Sequence, residues 1–168
     1  MDYQIKQWED VGLSDNYVFQ KVMEDEELCR EILERILDVK LSKIVKVTTE
    51  KVMEDIYMSK GIRVDAYVCD DKGTVYDVEA QTSDIKDILA KRVRYYQSCM
   101  DMNLLLKGAN YDELKEVFVI FICNFDPIGL KYSQYKFKTI DVENHKIVLD
   151  DGRTIIFLNS RGKDQNLN

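Results

Sequence analysis

Arg63-Val64-Asp65-Ala66-Tyr67-Val68 and Val75-Tyr76-Asp77-Val78-Glu79-Ala80-Gln81 are the two segments that decide how this chain folds. Between them lies Asp70-Asp71-Lys72-Gly73, the composition of a tight turn. Together they predict a β-hairpin from about Ile56 to Gln81. Side chains alternate faces along a strand. Asp77, Glu79 and Gln81 therefore share one face, and so do Arg63, Asp65 and Tyr67 in the first arm. A three-residue loop with Gly73 in the left-handed conformation pairs Asp70 with Thr74. That register sets Asp65 across from Glu79, Tyr67 across from Asp77 and Arg63 across from Gln81. Opposed side chains have Cβ atoms roughly 5 Å apart, and like charges placed so repel. A hard divalent cation with oxygen ligands resolves the repulsion. The alternative is a solvated sheet face whose charges never meet. If a metal is what is missing, metal-free Glu79→Gln melts no lower than wild type. A loss of stability instead marks a cation supplied by the protein, Arg63 or Lys60.

The rest of the composition bounds the class. A chain of 168 residues suits one domain with a substantial core. The expected domain is 1–168, with a core of about 13–158 and a flexible tail at 159–168. One proline and seven glycines argue against long disordered linkers. No apolar run approaches a membrane span, so a membrane partner is not expected. Met1 to Lys6 lacks the pattern of a signal peptide. The four cysteines are scattered and form no Cys-x-x-Cys pair, which argues against zinc. They suit a reducing cytoplasm. The net charge of −7 opposes non-specific binding to nucleic acid, so DNA contact has to rest on local basic clusters.

Around the hairpin, Ser14 or Asp15 caps a helix carrying Val18, Phe19 and Val22. A second helix runs from Asp25, with Leu28, Cys29, Ile32, Leu33, Ile36 and Leu37 as its apolar stripe. Lys43 to Lys51 reads as a strand. After Gln81, Thr82-Ser83-Asp84 supplies cap chemistry for a third helix. Its buried stripe is read as Ile85, Ile88, Leu89, Tyr96, Cys99 and Met100, and its outer face as Lys86, Lys91, Arg92 and Arg94. That basic face is either solvated or a set of phosphate contacts. Val117 to Cys123 is apolar throughout and reads as a central strand. Tyr132 to Ile140 suggests another strand. Ile147-Val148-Leu149 and Thr154 to Leu158 suggest a second hairpin around Asp150-Asp151-Gly152-Arg153. His145 reads as a loop residue. The expected fold is α/β, a mixed central sheet flanked by helices with extra short C-terminal strands.

Asp65 followed by Asp-x-Glu-x-Gln at positions 77–81, after a helix and a strand, resembles the PD-(D/E)XK nucleases. Ser14-Asp15-Asn16-Tyr17-Val18-Phe19 and Lys91-Arg92-Val93-Arg94-Tyr95-Tyr96 are similar to the nuclease-family transposases, or recombination-promoting nucleases. The resemblance runs from about Leu13 to about Leu158. It implies a restriction-endonuclease-like core and a metal-dependent endodeoxyribonuclease. In that reading Asp65, Glu79 and the backbone carbonyl of Ala80 hold Mg²⁺, with Mn²⁺ as substitute. Asp65, Glu79 and Gln81 are the expected catalytic group. Val64 and Gln81 stand where the family name has proline and lysine, although similar transposases carry Glu-x-Gln. Gln81 can orient a water but cannot act as its base. Asp77 either supports a second ion, lies beside the ligands, or faces solvent next to Tyr67. Asp15 either bonds within the site or caps its helix. Lys91 and Arg94 are the expected phosphate contacts, DNA the expected partner, and a homodimer an open option. Relatives usually carry a further helical segment. The competing expectation is therefore an inactive or truncated relative acting as a protein-interaction module.

Overall fold

The computed structural model describes residues 12, 15–41, 43–53 and 60–163. The first two helices start where an aspartate takes up the first unpaired N–H groups. Asp15 accepts from Tyr17 N–H at 3.2 Å and opens α1 (Asn16–Glu24). Asp25 accepts from Glu27 and Leu28 N–H at 3.0 Å and opens α2 (Glu26–Leu37). Ser14, the alternative cap, lies outside the described residues, as does the expected hairpin start at Ile56. α1 buries Phe19 and Met23, and α2 buries Cys29, Leu33, Ile36 and Leu37. Leu28, expected in the buried stripe, is instead 45% exposed.

Strands β1 (Ile44–Met53), β2 (Ile62–Asp70), β3 (Val75–Gln81), β4 (Val117–Cys123), β5 (Gln134–Phe137) and β6 (Arg153–Asn159) form one mixed sheet, ordered β1-β2-β3-β4-β6-β5. β3, β4 and β6 run parallel, and the other neighbours pair antiparallel. α1 and α2 cover one face through Ala66, Val68, Tyr76, Val78, Ile120 and Ile156. α3 (Lys86–Leu104) links β3 to β4 and covers the other face through Tyr67, Val75, Val119 and Phe121. β4, apolar along its whole length, lies between two parallel neighbours, as a strand covered on both faces requires.

The hairpin forms in the expected register. Tyr67 pairs with Asp77 and Ala66 with Val78. Asp70 N–H donates to the Thr74 carbonyl at 3.1 Å, and Gly73 sits at φ +85°. Asp70 is the turn's organiser, accepting from Lys72 N–H, Thr74 N–H and the Tyr76 hydroxyl.

The alternation expected along β2, however, breaks at Asp65. Ala66 and Val68 pack beneath α1 and α2, whereas Ile62 and Val64 join Tyr67 beneath α3. β1 breaks at the same level. Thr49 pairs with Ala66 and Lys51 with Val64, while Glu50 between them adopts φ 51°. Arg63 therefore does not share the face of Tyr67 and does not pair with Gln81. It lies 3.7 Å from Glu50 instead.

The second hairpin is also corrected. β6 inserts between β4 and β5, while Ile147, Val148 and Leu149 stay exposed and contribute one bridge, Ile140 to Val148. Ile155-Ile156-Phe157-Leu158 is apolar on both faces, which suits an interior strand with two neighbours better than a hairpin arm with one. Beyond β6, Ser160 N–H donates to the Cys123 carbonyl and Lys163 N–H to the Lys131 carbonyl. Gly162 passes so close that a Cβ there would lie 2.4 Å from Ser133 Cα. Positions 164–168 of the expected flexible tail lie outside the described residues.

Candidate active site

Past the Ala66–Val78 pair the hairpin ladder gives way to side chains. Asp65 N–H donates to Glu79 Oε1 at 2.8 Å, and Ala80 N–H donates to Asp65 Oδ2 at 3.1 Å. The two acids thus meet across β2 and β3, each bonded to the other's strand. The N–H and carbonyl of one strand residue point to the same neighbour. The Ala80 carbonyl accordingly projects toward β2, the side of Asp65.

Glu79 is 1% exposed, so the solvated-face alternative fails for it. Its second oxygen accepts from Arg92 Nη2 at 2.8 Å. The same guanidinium donates to Gln81 Oε1 at 2.7 Å and to the Tyr96 hydroxyl at 2.8 Å. It also lies 5.0 Å from the Tyr96 ring centroid and 5.3 Å from that of Phe121. Gln81 Nε2 donates to the Ser83 carbonyl at 2.7 Å. Both ends of the Gln81 amide are therefore engaged, and its direct role is to hold Arg92. A protein cation does hold Glu79, but it is neither Arg63 nor Lys60.

The sequence pattern assigns Arg92 to the outer face of α3, and the structure turns it toward the acids. Its placement has a sequence signal, since it lies three residues after buried Leu89 and four before buried Tyr96, at the margin of the stripe. Ile88 is the converse case: read as buried, it is 55% exposed. Of the expected cap residues Thr82, Ser83 and Asp84, it is Asp84 that serves, its carboxylate accepting from Lys86 N–H at 3.2 Å, while Ile85 takes the N-cap position without a side-chain bond of its own.

Asp77 is fully buried, so the solvent-facing option is excluded. As a carboxylate it receives no hydrogen bond. Burial, together with the charges of Glu79 and Asp65, pushes its carboxyl well above the usual range. Burial, with Asp65 next, raises Glu79 to about 7, and burial raises Asp65 as well. Burial disfavours charge on Arg92, but the Tyr96 hydroxyl and the carboxylates of Glu79 and Asp65 overcome this and raise it.

No three His, Cys, Asp or Glu side chains among the described residues form a ready-made metal cluster. The donors nonetheless fit a hard cation in kind. Asp65, Glu79 and the Ala80 carbonyl offer only oxygen, and a buried carboxylate without a donor is a costly arrangement that a nearby cation relieves.

A groove of about 720 Å³ opens beside the acids, with Asp65 in its wall. Lys60, Arg63, Lys91 and Arg92 line it together with Ile88 and Tyr95. The Tyr95 hydroxyl donates to the Lys60 carbonyl at 2.6 Å, tying α3 to the start of β2. Lys91 borders the groove, whereas Arg94 is exposed and not part of its lining. Asp15 takes the cap role on α1.

The sequence model for the PD-(D/E)XK nuclease family transposases matches residues 14–162. The chain belongs to that family. Its six-stranded sheet with three flanking helices is the restriction-endonuclease-like α/β arrangement of these nucleases. No curated protein and no solved structure matches it. The family gives a nuclease or transposase type of function, and its members typically use divalent metals. Among the described residues no helix is long and apolar enough to cross a membrane. None of the four cysteines is in a disulfide, and His145 is an exposed loop residue, as expected.

Proposed function

We propose that this nuclease-family chain is a Mg²⁺-dependent DNA endonuclease of the recombination-promoting type, acting in a reducing cytoplasm, with Mn²⁺ as substitute ion. The observation that carries the reading is the Asp65–Glu79 pair, cross-bonded between β2 and β3 with buried Asp77 two residues before Glu79, beside a groove lined by four basic side chains. Asp65, Glu79 and the Ala80 carbonyl would hold the ion. When bound, such an ion polarises a phosphate oxygen and lowers the pKa of a bound water. The chain's own residues supply the rest. Lys60 and Lys91 attract the phosphates, with Arg94 as an outer contact. The strand-to-strand bonds of Asp65 and Glu79 fix the ligands before DNA arrives. Gln81 does not accept the proton, because an amide does not titrate. It keeps Arg92 oriented. Hydrolysis leaves a new strand end.

One observation favours the second reading, a non-catalytic interaction module: Glu79 is already satisfied by Arg92 and by the Asp65 N–H. Plasmid nicking with Mg²⁺ and Mn²⁺ separates the two. Cleavage by wild type is expected to fall to background in Asp65→Ala and Glu79→Ala variants that keep wild-type circular dichroism. Cleavage retained in Glu79→Ala removes the mechanism. A wild type that neither cuts DNA nor gains thermal stability from the metal leaves the interaction module.

A further inference from the structure

Among the described residues, Arg92 is the one cation paired with the acid cluster. We propose that Arg92 is a resident counter-ion that occupies the place of the metal, so that metal entry moves its guanidinium off Glu79 and into the adjoining groove to receive a substrate phosphate. This rests on the metal-dependent reading above and adds a residue outside the acid motif to it.

Three observations support the exchange. The first is proximity. Arg92 Nη2 lies 2.8 Å from Glu79 Oε2. A divalent ion on the same carboxylate, at its usual ~2.1 Å, would sit almost in contact with a full positive charge. The two cations therefore compete for Glu79. The second is the nature of Arg92's other anchors. Gln81 Oε1 and the Tyr96 hydroxyl are neutral, so among the described residues the charged group to which the guanidinium is hydrogen-bonded is one a metal would take. The third is room. The Arg92 side chain is 32% exposed and already lines the groove beside Lys91 and Tyr95.

The chemistry also explains why this position is arginine and position 81 is glutamine. A planar guanidinium fork reaches Glu79, Gln81 and the Tyr96 hydroxyl at once and can later grip a phosphate through two N–H groups. An amide at 81 accepts from that fork while donating to Ser83. A lysine there would confront Arg92 with a like charge.

The test is a calorimetric Mn²⁺ titration of the full chain, with thermal melts in chelator and in saturating Mn²⁺, for wild type, Arg92→Gln, Arg92→Lys and Glu79→Ala. Arg92→Gln is expected to bind Mn²⁺ about tenfold more tightly than wild type. It is also expected to melt lower in chelator and to show a larger upward shift with the ion. Equal or weaker Mn²⁺ affinity in folded Arg92→Gln overturns the proposal. Should that variant not fold, Arg92→Lys decides: an ammonium cannot span all three acceptors, so a lower Mn²⁺ midpoint is expected, and an unchanged one overturns the proposal. Wild type and Arg92→Gln binding Mn²⁺ equally, with Glu79→Ala losing it, removes the exchange but keeps the metal site. No Mn²⁺ binding by any variant removes both.

Discussion

A carboxyl group that water does not reach and no donor serves is costly in its charged form. Asp77 is in that position, with Glu79 and Asp65 as its charged neighbours. The sign of the effect on stability follows. The folded-state pKa of Asp77 is raised and that of Glu79 is raised to about 7, so between about pH 4.5 and 7 Glu79 keeps in the folded chain a proton that the unfolded chain has released. The stabilisation is complete below that window and is lost as pH rises through it. Metal-free Asp77→Asn is therefore expected to lose less stability than wild type from pH 5 to pH 8. At pH 8 it is expected to be more stable than wild type. Melts in chelator at the two pH values check this, and a variant less stable than wild type at pH 8 contradicts it. Period-two alternation was enough to place Asp77, Glu79 and Gln81 on one face. Whether that face met water depended on α3, and the decisive side chain, Arg92, sits at the edge of a stripe where charge alone argues for solvent.

Among the elements, β1 and β2 carry the feature that aims Asp65. The break at Glu50, φ 51°, lies at the level where β2 changes the face it buries. The left-handed conformation costs a non-glycine residue about 1 kcal/mol. Glu50 is half-exposed, and its contact with Arg63 at 3.7 Å is a weak surface pair. Glu50→Gly is thus expected to raise stability by about 0.5 kcal/mol, read as a higher urea midpoint at unchanged slope. A lowered midpoint means that the side chain matters more than the backbone strain. The turn at Asp70-Asp71-Lys72-Gly73 and the register it sets were legible because turn chemistry is local. The break was not, since Thr49-Glu50-Lys51 contains no glycine or asparagine to announce it. The seat of β6 was hidden for a related reason: the order of parallel strands is decided by partners distant in sequence.

Over the molecule as a whole, a net charge of −7 coexists with a groove lined by Lys60, Arg63, Lys91 and Arg92. In the DNA-cleaving reading proposed above, attraction to DNA would rest on that groove and would depend strongly on ionic strength. Lys91→Ala is expected to weaken binding to all DNA sequences alike and to flatten the salt dependence by about one phosphate contact, measured by fluorescence anisotropy across salt concentrations. An unchanged slope would place Lys91 outside the footprint. The α/β class was legible because a hairpin, a helix and an all-apolar strand follow one another in order. The order of strands in the sheet has a consequence during synthesis. Among the described strands β5 pairs with β6 alone, and β4 keeps an open edge until β6 arrives. A nascent chain that has emerged only as far as Gly152 already holds both halves of the acid pair, yet its sheet is unfinished and offers backbone to proteases. β6 therefore acts as a latch: until it threads between them, β4 keeps a bare backbone edge and β5 has no strand to pair with.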